Sequence, residues 1–184
     1  MKVADVDIII GVVWILFWLY WLISSFWVKT GPSRWIRFAG VRLVLIAAVV
    51  VLLRGRGFRQ HPVTHNPWLV GIGLALILLG LALAVWARLY LGRNWGMPMS
   101  RKDDPELVTT GPYHWVRNPI YSGLILAMTG TAIAVSVAWL IAAVLLGGYF
   151  VYSAVKEGAY MAEQFPDTYP AYQASTKMLI PFVF

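Results

Sequence analysis

From Ile120 to Tyr152 the chain is apolar almost without interruption. As one helix this stretch would be about 50 Å long, well beyond the ~30 Å hydrocarbon core of a bilayer. It must therefore double back, and the sequence places the turn near Ser136. Ile8–Val28 and Trp68–Leu91 each have the length of a membrane crossing, and Val41–Leu53 forms a shorter span with Arg42 snorkelling at its entrance. In hydrocarbon every backbone polar group has to be bonded within the chain, which selects helices for such segments. The expected fold class is all-α, an integral membrane bundle of about five transmembrane helices with a helical hairpin and an interfacial C-terminal tail. It reads as a single domain over 1–184, with N-terminal spans in 1–91 and the polar motifs in 92–184.

Composition agrees: 60% of the 184 residues are hydrophobic and 12% charged, against roughly 25% charged in soluble domains. The net charge of +7 comes from basic residues clustered at span ends, which points to lipid headgroups and topology rather than nucleic acid. Lys29–Arg42, Arg88–Arg117 and the tail would be cytoplasmic under the positive-inside rule, while Arg54, Arg56 and Arg59 oppose that orientation. The first apolar run reads as a retained span, because Asp5 and Asp7 precede it and no cleavage-type site follows. The absence of cysteine excludes disulfides and thiolate chemistry. His61, His65 and His114 lack the helical spacing and acidic partner of a zinc-hydrolase site, so no metal site is expected.

Several residues have structural readings. Gly71, Gly73 and Gly80 permit close helix packing and, without a preceding strand, form no dinucleotide fingerprint. Trp14, Trp18, Trp21 and Trp27 read as interface and packing residues, and Arg88 as an interface anchor.

The stretch LVTTGPYHWVRNPIYSG, Leu107–Gly123, is different. It places arginine, asparagine, two tyrosines and helix breakers beside membrane-grade spans. Polar chemistry at the bilayer edge is tolerated where it lines a cavity or wet site, so a functional site is expected here.

Taken with GRNW at 92–95, Glu157, FPDTYPAY and a closing LIP, this stretch resembles the isoprenylcysteine carboxyl methyltransferase family and its phospholipid methyltransferase relatives. The resemblance covers roughly the C-terminal half. It implies an integral membrane enzyme that transfers a methyl group from S-adenosyl-L-methionine to an isoprenoid or lipid-like acceptor; the charge pattern would put its cofactor site on the cytoplasmic side. Residue by residue, it implies that Glu106, Leu107, Val108, Tyr113, Asn118, Pro119, Ile120 and Tyr121 contact the methyl donor. Glu157 would take the donor's amino-acid end, and Arg117 would shape the site and orient the acceptor; Arg117 and Glu157 are the catalytic candidates. The chemistry suits such a ligand, since a carboxylate can pair with an ammonium and tyrosines can face a sulfonium.

The chain departs from the family at three places. Asn118 stands where many members have histidine, Ser153 where an arginine resembles a clamp for the acceptor carboxylate, and Gly158 where a second glutamate would be. Lys156 or Arg117 would have to supply the missing charge. A carboxylate acceptor needs no base, whereas an amine would need one such as Glu157 or Glu163. The acceptor would enter laterally from the bilayer. Tyr169 and Tyr172 are candidates to cap the site, and His114 reads as interfacial. Other functions left open are a phospholipid or amine N-methyltransferase, an NADPH-dependent oxidoreductase similar to the sterol reductases, and a non-catalytic lipid-binding protein.

Overall fold

The computed structural model describes residues 3–26, 66–95, 106–136 and 138–181. The expected span Val41–Leu53, its flanking basic segments, Trp27, His61 and His65 lie outside the described residues. Among the described residues five α-helices follow in order: α1 Val3–Ser25, α2 Pro67–Leu91, α3 Pro119–Ala134, α4 Ala138–Gln164 and α5 Tyr169–Ser175. Short 3-10 turns occupy Gly92–Asn94 and Gly111–His114. Helices α1, α2 and α4 are long and apolar enough to cross a membrane. Helix α3, with 16 residues, is about 24 Å long, and it turns into α4 at Ser136 as the hairpin length requires.

Local chemistry sets the ends of these helices. Asn66 caps α2 by accepting a 3.0 Å hydrogen bond from the Trp68 N–H, and Pro67 fills the first helical position, where no N–H is needed. At the other end Gly92 takes φ 52°, a left-handed conformation that glycine adopts without a Cβ penalty, and its N–H returns to the Arg88 carbonyl. Pro119 opens α3 in the same way that Pro67 opens α2.

The core of the bundle is the antiparallel seam between α2 and α3. A Cβ on Gly80 would strike the Gly123 carbonyl, and one on Gly123 would strike the Gly80 carbonyl. One turn-pair away, a Cβ on Gly73 would lie 2.7 Å from the Gly130 oxygen and one on Gly130 would lie 2.6 Å from the Gly73 oxygen. The two backbones thus touch at two reciprocal glycine pairs, with Ala84 and Ala127 fully buried between them. Lipid tails are as apolar as leucine, so association of spans relies on such close packing rather than on hydrophobic burial. Gly71 differs from the expectation: it faces open space, because it lies off the stripe that Gly73 and Gly80 share.

Helix α1 joins this pair through a polar pin. Trp14 Nε1 donates to Thr131 Oγ1 at 3.1 Å, and the Thr131 hydroxyl donates to the Ala127 carbonyl at 2.9 Å. Leu16, Leu19, Leu79 and Val144 are among the many large apolar side chains left exposed on α1, α2 and α4, as expected of lipid-facing surfaces. Because α2 and α3 run antiparallel and α4 returns along α3, the C-terminal ends of α1, α2 and α4 and the start of α3 gather at one end.

Replacing Gly80 with leucine is expected to lower the melting temperature of the detergent-purified chain sharply, since overpacking typically costs about 1–3 kcal/mol and here the obstacle is backbone. Gly71→Leu should leave it nearly unchanged. Equal effects at the two positions would contradict the seam.

Candidate functional site

The gathered helix ends surround a cavity of about 250 Å³. Of the residues expected at a donor site, Glu106, Leu107, Val108, Tyr113, Asn118, Ile120 and Tyr121 line it, as do Arg117 and Glu157. Pro119 does not; it is fully buried at the first position of α3, where it sets the direction of the helix that carries Ile120 and Tyr121. Residues 106–110 lead into the Gly111–His114 turn, which they enter through an extended Thr110. Gly111, at φ 60°, lies so close to the Tyr90 ring that any side chain would collide with it. That turn buries Tyr113.

The carboxylate of the site comes from α4. Tyr121 Oη donates to Glu157 Oε2 at 3.1 Å, and the Tyr121 ring stacks on Phe150 at 5.0 Å and 13°. Phe150, Glu157 and Met161 occupy one face of α4 and all line the cavity. Helix α4 runs unbroken to Gln164, further than the apolar pattern ending at Tyr152 indicated, so Glu157 sits within the same helix as the last span. At the mouth Glu106 Oε2 accepts from Asn94 Nδ2 at 2.8 Å.

The Tyr113 hydroxyl is buried and has no hydrogen-bond partner among the described residues. Burial first, and then the nearby Glu157 carboxylate, push its pKa well above the ordinary tyrosine value. It therefore stays protonated, a donor with nothing to donate to. Buried polar groups normally find partners, and an exception at a cavity wall marks a place where a ligand atom would fit.

The C-terminal tail roofs this end. Residues 115–118 and 176–179 pair side by side: Arg117 N–H donates to the Lys177 carbonyl at 2.8 Å and Asn118 N–H to the Met178 carbonyl at 3.1 Å, with a parallel bridge between Val116 and Lys177. Asn118 Nδ2 also donates to the Met178 carbonyl at 3.2 Å, and Ser122 Oγ donates to the Leu179 carbonyl at 2.5 Å. Arg117 reaches the end of α5, where Nη1 donates to the carbonyls of Gln173 at 2.9 Å and Thr176 at 2.5 Å. A cation there complements the negative end of the helix dipole. The Tyr172 hydroxyl donates to the Tyr113 carbonyl at 2.7 Å, and Tyr169 and Tyr172 both face the cavity.

The three departures from the family pattern also find their places. Ser153 is fully buried, its hydroxyl bonded back to the Tyr149 carbonyl at 2.8 Å, and it is not among the cavity residues. Lys156 is exposed and lies 5.7 Å over the Tyr152 ring, also away from the cavity. At Gly158 an added Cβ would sit 3.1 Å from the Tyr169 hydroxyl, so that hydroxyl takes the space a side chain would use. His114 is exposed and does not line the cavity.

Sequence reasoning missed Trp18 and Trp21 of α1, which line the cavity together with Trp95, Phe150 and Met161. The α4 pair was accessible from helical spacing around Glu157. For the tryptophans, i, i+3 spacing shows a shared face but not whether that face meets lipid or a ligand.

Fold and site together define a polytopic helical membrane protein with an aromatic, carboxylate-bearing cavity at one end of its bundle. The phospholipid methyltransferase family matches residues 68–168, more than half of the chain. The chain belongs to that family. It is 28% identical over 131 residues to protein-S-isoprenylcysteine O-methyltransferase B of Arabidopsis thaliana, covering 69% of this chain and 64% of the relative. It is 32% identical over 123 residues to protein-S-isoprenylcysteine O-methyltransferase of Tribolium castaneum, covering 63% of this chain and 43% of the relative. The solved structure of the eukaryotic intramembrane Ras methyltransferase, isoprenylcysteine carboxyl methyltransferase, shares the fold with a TM-score of 0.57 at 23% identity over 83% of this chain and 55% of that one. The chain thus spans less than two thirds of the length of each of these proteins.

Burial first, then the neighbouring Tyr169, raises the Tyr172 pKa above the ordinary 10.0. A raised folded-state pKa means that the stability contributed is complete below pH 10 and is lost as pH rises above it. Alkaline unfolding of the wild type is therefore expected to begin near pH 10, and Tyr172→Phe should be less stable at pH 8 yet show a shallower loss between pH 10 and 12. An identical alkaline slope in the two proteins would contradict the half-buried, hydrogen-bonded hydroxyl.

Proposed function

We propose that this chain is a membrane methyltransferase that uses S-adenosyl-L-methionine in the cavity bounded by Tyr113, Tyr121 and Glu157, and that its acceptor is a prenylated, lipid-like molecule bearing a carboxyl group. The observation that carries this reading is the convergence, in one cavity, of a helix-borne carboxylate, stacked aromatic rings and a protonated tyrosine hydroxyl without a partner among the described residues. Family membership and similarity to two isoprenylcysteine O-methyltransferases support it.

When bound, S-adenosyl-L-methionine supplies a methyl group on a positively charged sulfur. The residues present fit such a ligand. Glu157 offers a carboxylate suited to an ammonium, held in orientation by the Tyr121 hydroxyl. The rings of Tyr113 and Tyr121 line the cavity, and aromatic rings attract a cation. The Tyr113 hydroxyl offers a hydrogen bond, and Leu107, Val108, Ile120 and Leu124 keep water out. Arg117 is the basic residue among the described cavity walls, so it is the group that would face an acceptor carboxylate while Nη1 anchors α5. A carboxylate nucleophile needs no general base, and holding it in line with the methyl group would supply most of the acceleration.

The cavity end is proposed to face the cytoplasm. Arg88, Arg93, Arg117, Lys156 and Lys177, the basic residues among those described, lie at that end, and the opposite end carries Asp5 and Asp7.

The purified chain incubated with isotopically labelled methyl donor is expected to label an S-prenylcysteine or a carboxylic species of a total lipid extract. S-adenosylhomocysteine should raise the melting temperature and NADPH should not. Glu157→Gln should weaken S-adenosylhomocysteine about 30- to 100-fold, the loss of one charge-assisted bond. Stabilisation by NADPH alone would favour an oxidoreductase, and label confined to amine headgroups would replace the carboxyl acceptor with a phospholipid amine.

A further inference from the structure

Helix α1 supplies Trp18 and Trp21 to the cavity wall, and the Trp14 bond to Thr131 is one polar attachment of that helix to the bundle. Another attachment is Arg88. This side chain is 5% exposed and lies on α2, where the sequence suggested only an interface anchor. Its Nη2 donates to the Ser24 carbonyl at 2.6 Å and its Nη1 to the Gly92 carbonyl at 2.6 Å. Its guanidinium carbon lies 4.9 Å over the Trp95 ring.

Those two carbonyls belong to the last turn of α1 and the residue just past α2. A cation buried there is stabilised by the negative ends of two helix dipoles and by a ring face, which explains how a guanidinium is tolerated at this depth. The same contacts set the distance between α1 and the cavity. Trp95 meets Trp21 edge-on at 5.5 Å and both line the cavity, so Arg88, Trp95 and Trp21 form one continuous series of contacts that runs into the wall. Trp18 lines the cavity with 53% of its surface exposed, on a helix whose neighbouring exposed residues, Ile15, Leu19 and Leu22, are of lipid-facing type. The tryptophan wall is thus where the cavity adjoins hydrocarbon, and it is remote in kind from the Glu157 side that suits a charged ligand.

We infer that Arg88 is a positioning residue for the acceptor: by joining the ends of α1 and α2 over Trp95 it fixes the Trp18 and Trp21 wall against which the acceptor's apolar chain lies. This rests on the methyltransferase reading for its ligand, but the helix attachment does not. Lysine has one ammonium and no planar fork, so Arg88→Lys cannot make both carbonyl bonds while covering the ring.

The test has two arms on the full chain in nanodiscs. In the first, the protein's lack of cysteine allows a spin-label pair at Ile23→Cys and Leu89→Cys, both well exposed, to report the α1–α2 distance without any ligand. Arg88→Met should broaden and lengthen that distribution, and Arg88→Lys should do so partly. In the second, with S-prenylcysteines of increasing chain length as acceptors, Arg88→Met should raise the acceptor KM about 10-fold for the longest chain while changing the donor KM less than about 2-fold. Trp18→Ala should reproduce the acceptor effect without the distance change. Where Arg88→Met does not fold, Arg88→Lys is expected to show the same split at smaller amplitude. An unchanged distance distribution, or donor and acceptor KM values that move together, would overturn the inference. If the wild type transfers methyl to none of these acceptors while the distance arm behaves as described, it is the acceptor assignment that fails, and Arg88 keeps only its role in holding the helices.

Discussion

Backbone contact between α2 and α3 is the constraint on which the site depends. Inside a bilayer no hydrophobic force separates helix–helix from helix–lipid contact, so two spans stay in register where their backbones can touch. Gly73, Gly80, Gly123 and Gly130 allow that touch at two levels. The seam brings the end of α2, with Leu91 and Trp95, beside the start of α3, with Ile120 and Tyr121. A shift of one residue along it would move Tyr121 off the face that meets Glu157. The hairpin at Ser136 then has a single function, to return α4 so that its last turns carry Glu157 back to that same end.

Around this frame the polar residues divide between building and binding. Arg117 and Asn118 spend hydrogen bonds on the tail and on the end of α5, and Ser122 adds another. These bonds turn a Pro-broken segment, whose backbone groups helix geometry would leave unpaired, into a roof over the cavity. Glu157 and Tyr113 face inward. A motif that reads as one block of chemistry in the sequence is thus two things in space, a stitched support and a cavity-facing wall, and Arg117 takes part in both.

Much of the fold was legible in the sequence. The excess length of Ile120–Tyr152 required a hairpin, and the structure turns at Ser136; Trp68–Leu91 matches α2 within a residue. Hydropathy reports burial in lipid, so it located the described spans α1 and α2 and the hairpin of α3 and α4, but it lost α4 at Tyr152 because the helix continues into polar surroundings to Gln164. The cavity walls from the motif were legible through resemblance. The walls from α1 were not, since Trp18 and Trp21 look like membrane-belt tryptophans by composition and spacing alone. Nor was the role of Arg88: whether an arginine near a span end points to headgroups or to buried carbonyls is decided by the partner helix, and the partner carbonyl of Ser24 is 64 residues away along the chain.

The most direct measurement is an experimental structure of the full chain in lipid with S-adenosylhomocysteine. The account predicts ligand density in the cavity, its ammonium against Glu157 and a polar atom within hydrogen-bond reach of the Tyr113 hydroxyl. Density elsewhere on the protein, with Glu157 and Tyr113 contacting only protein or lipid, would contradict it.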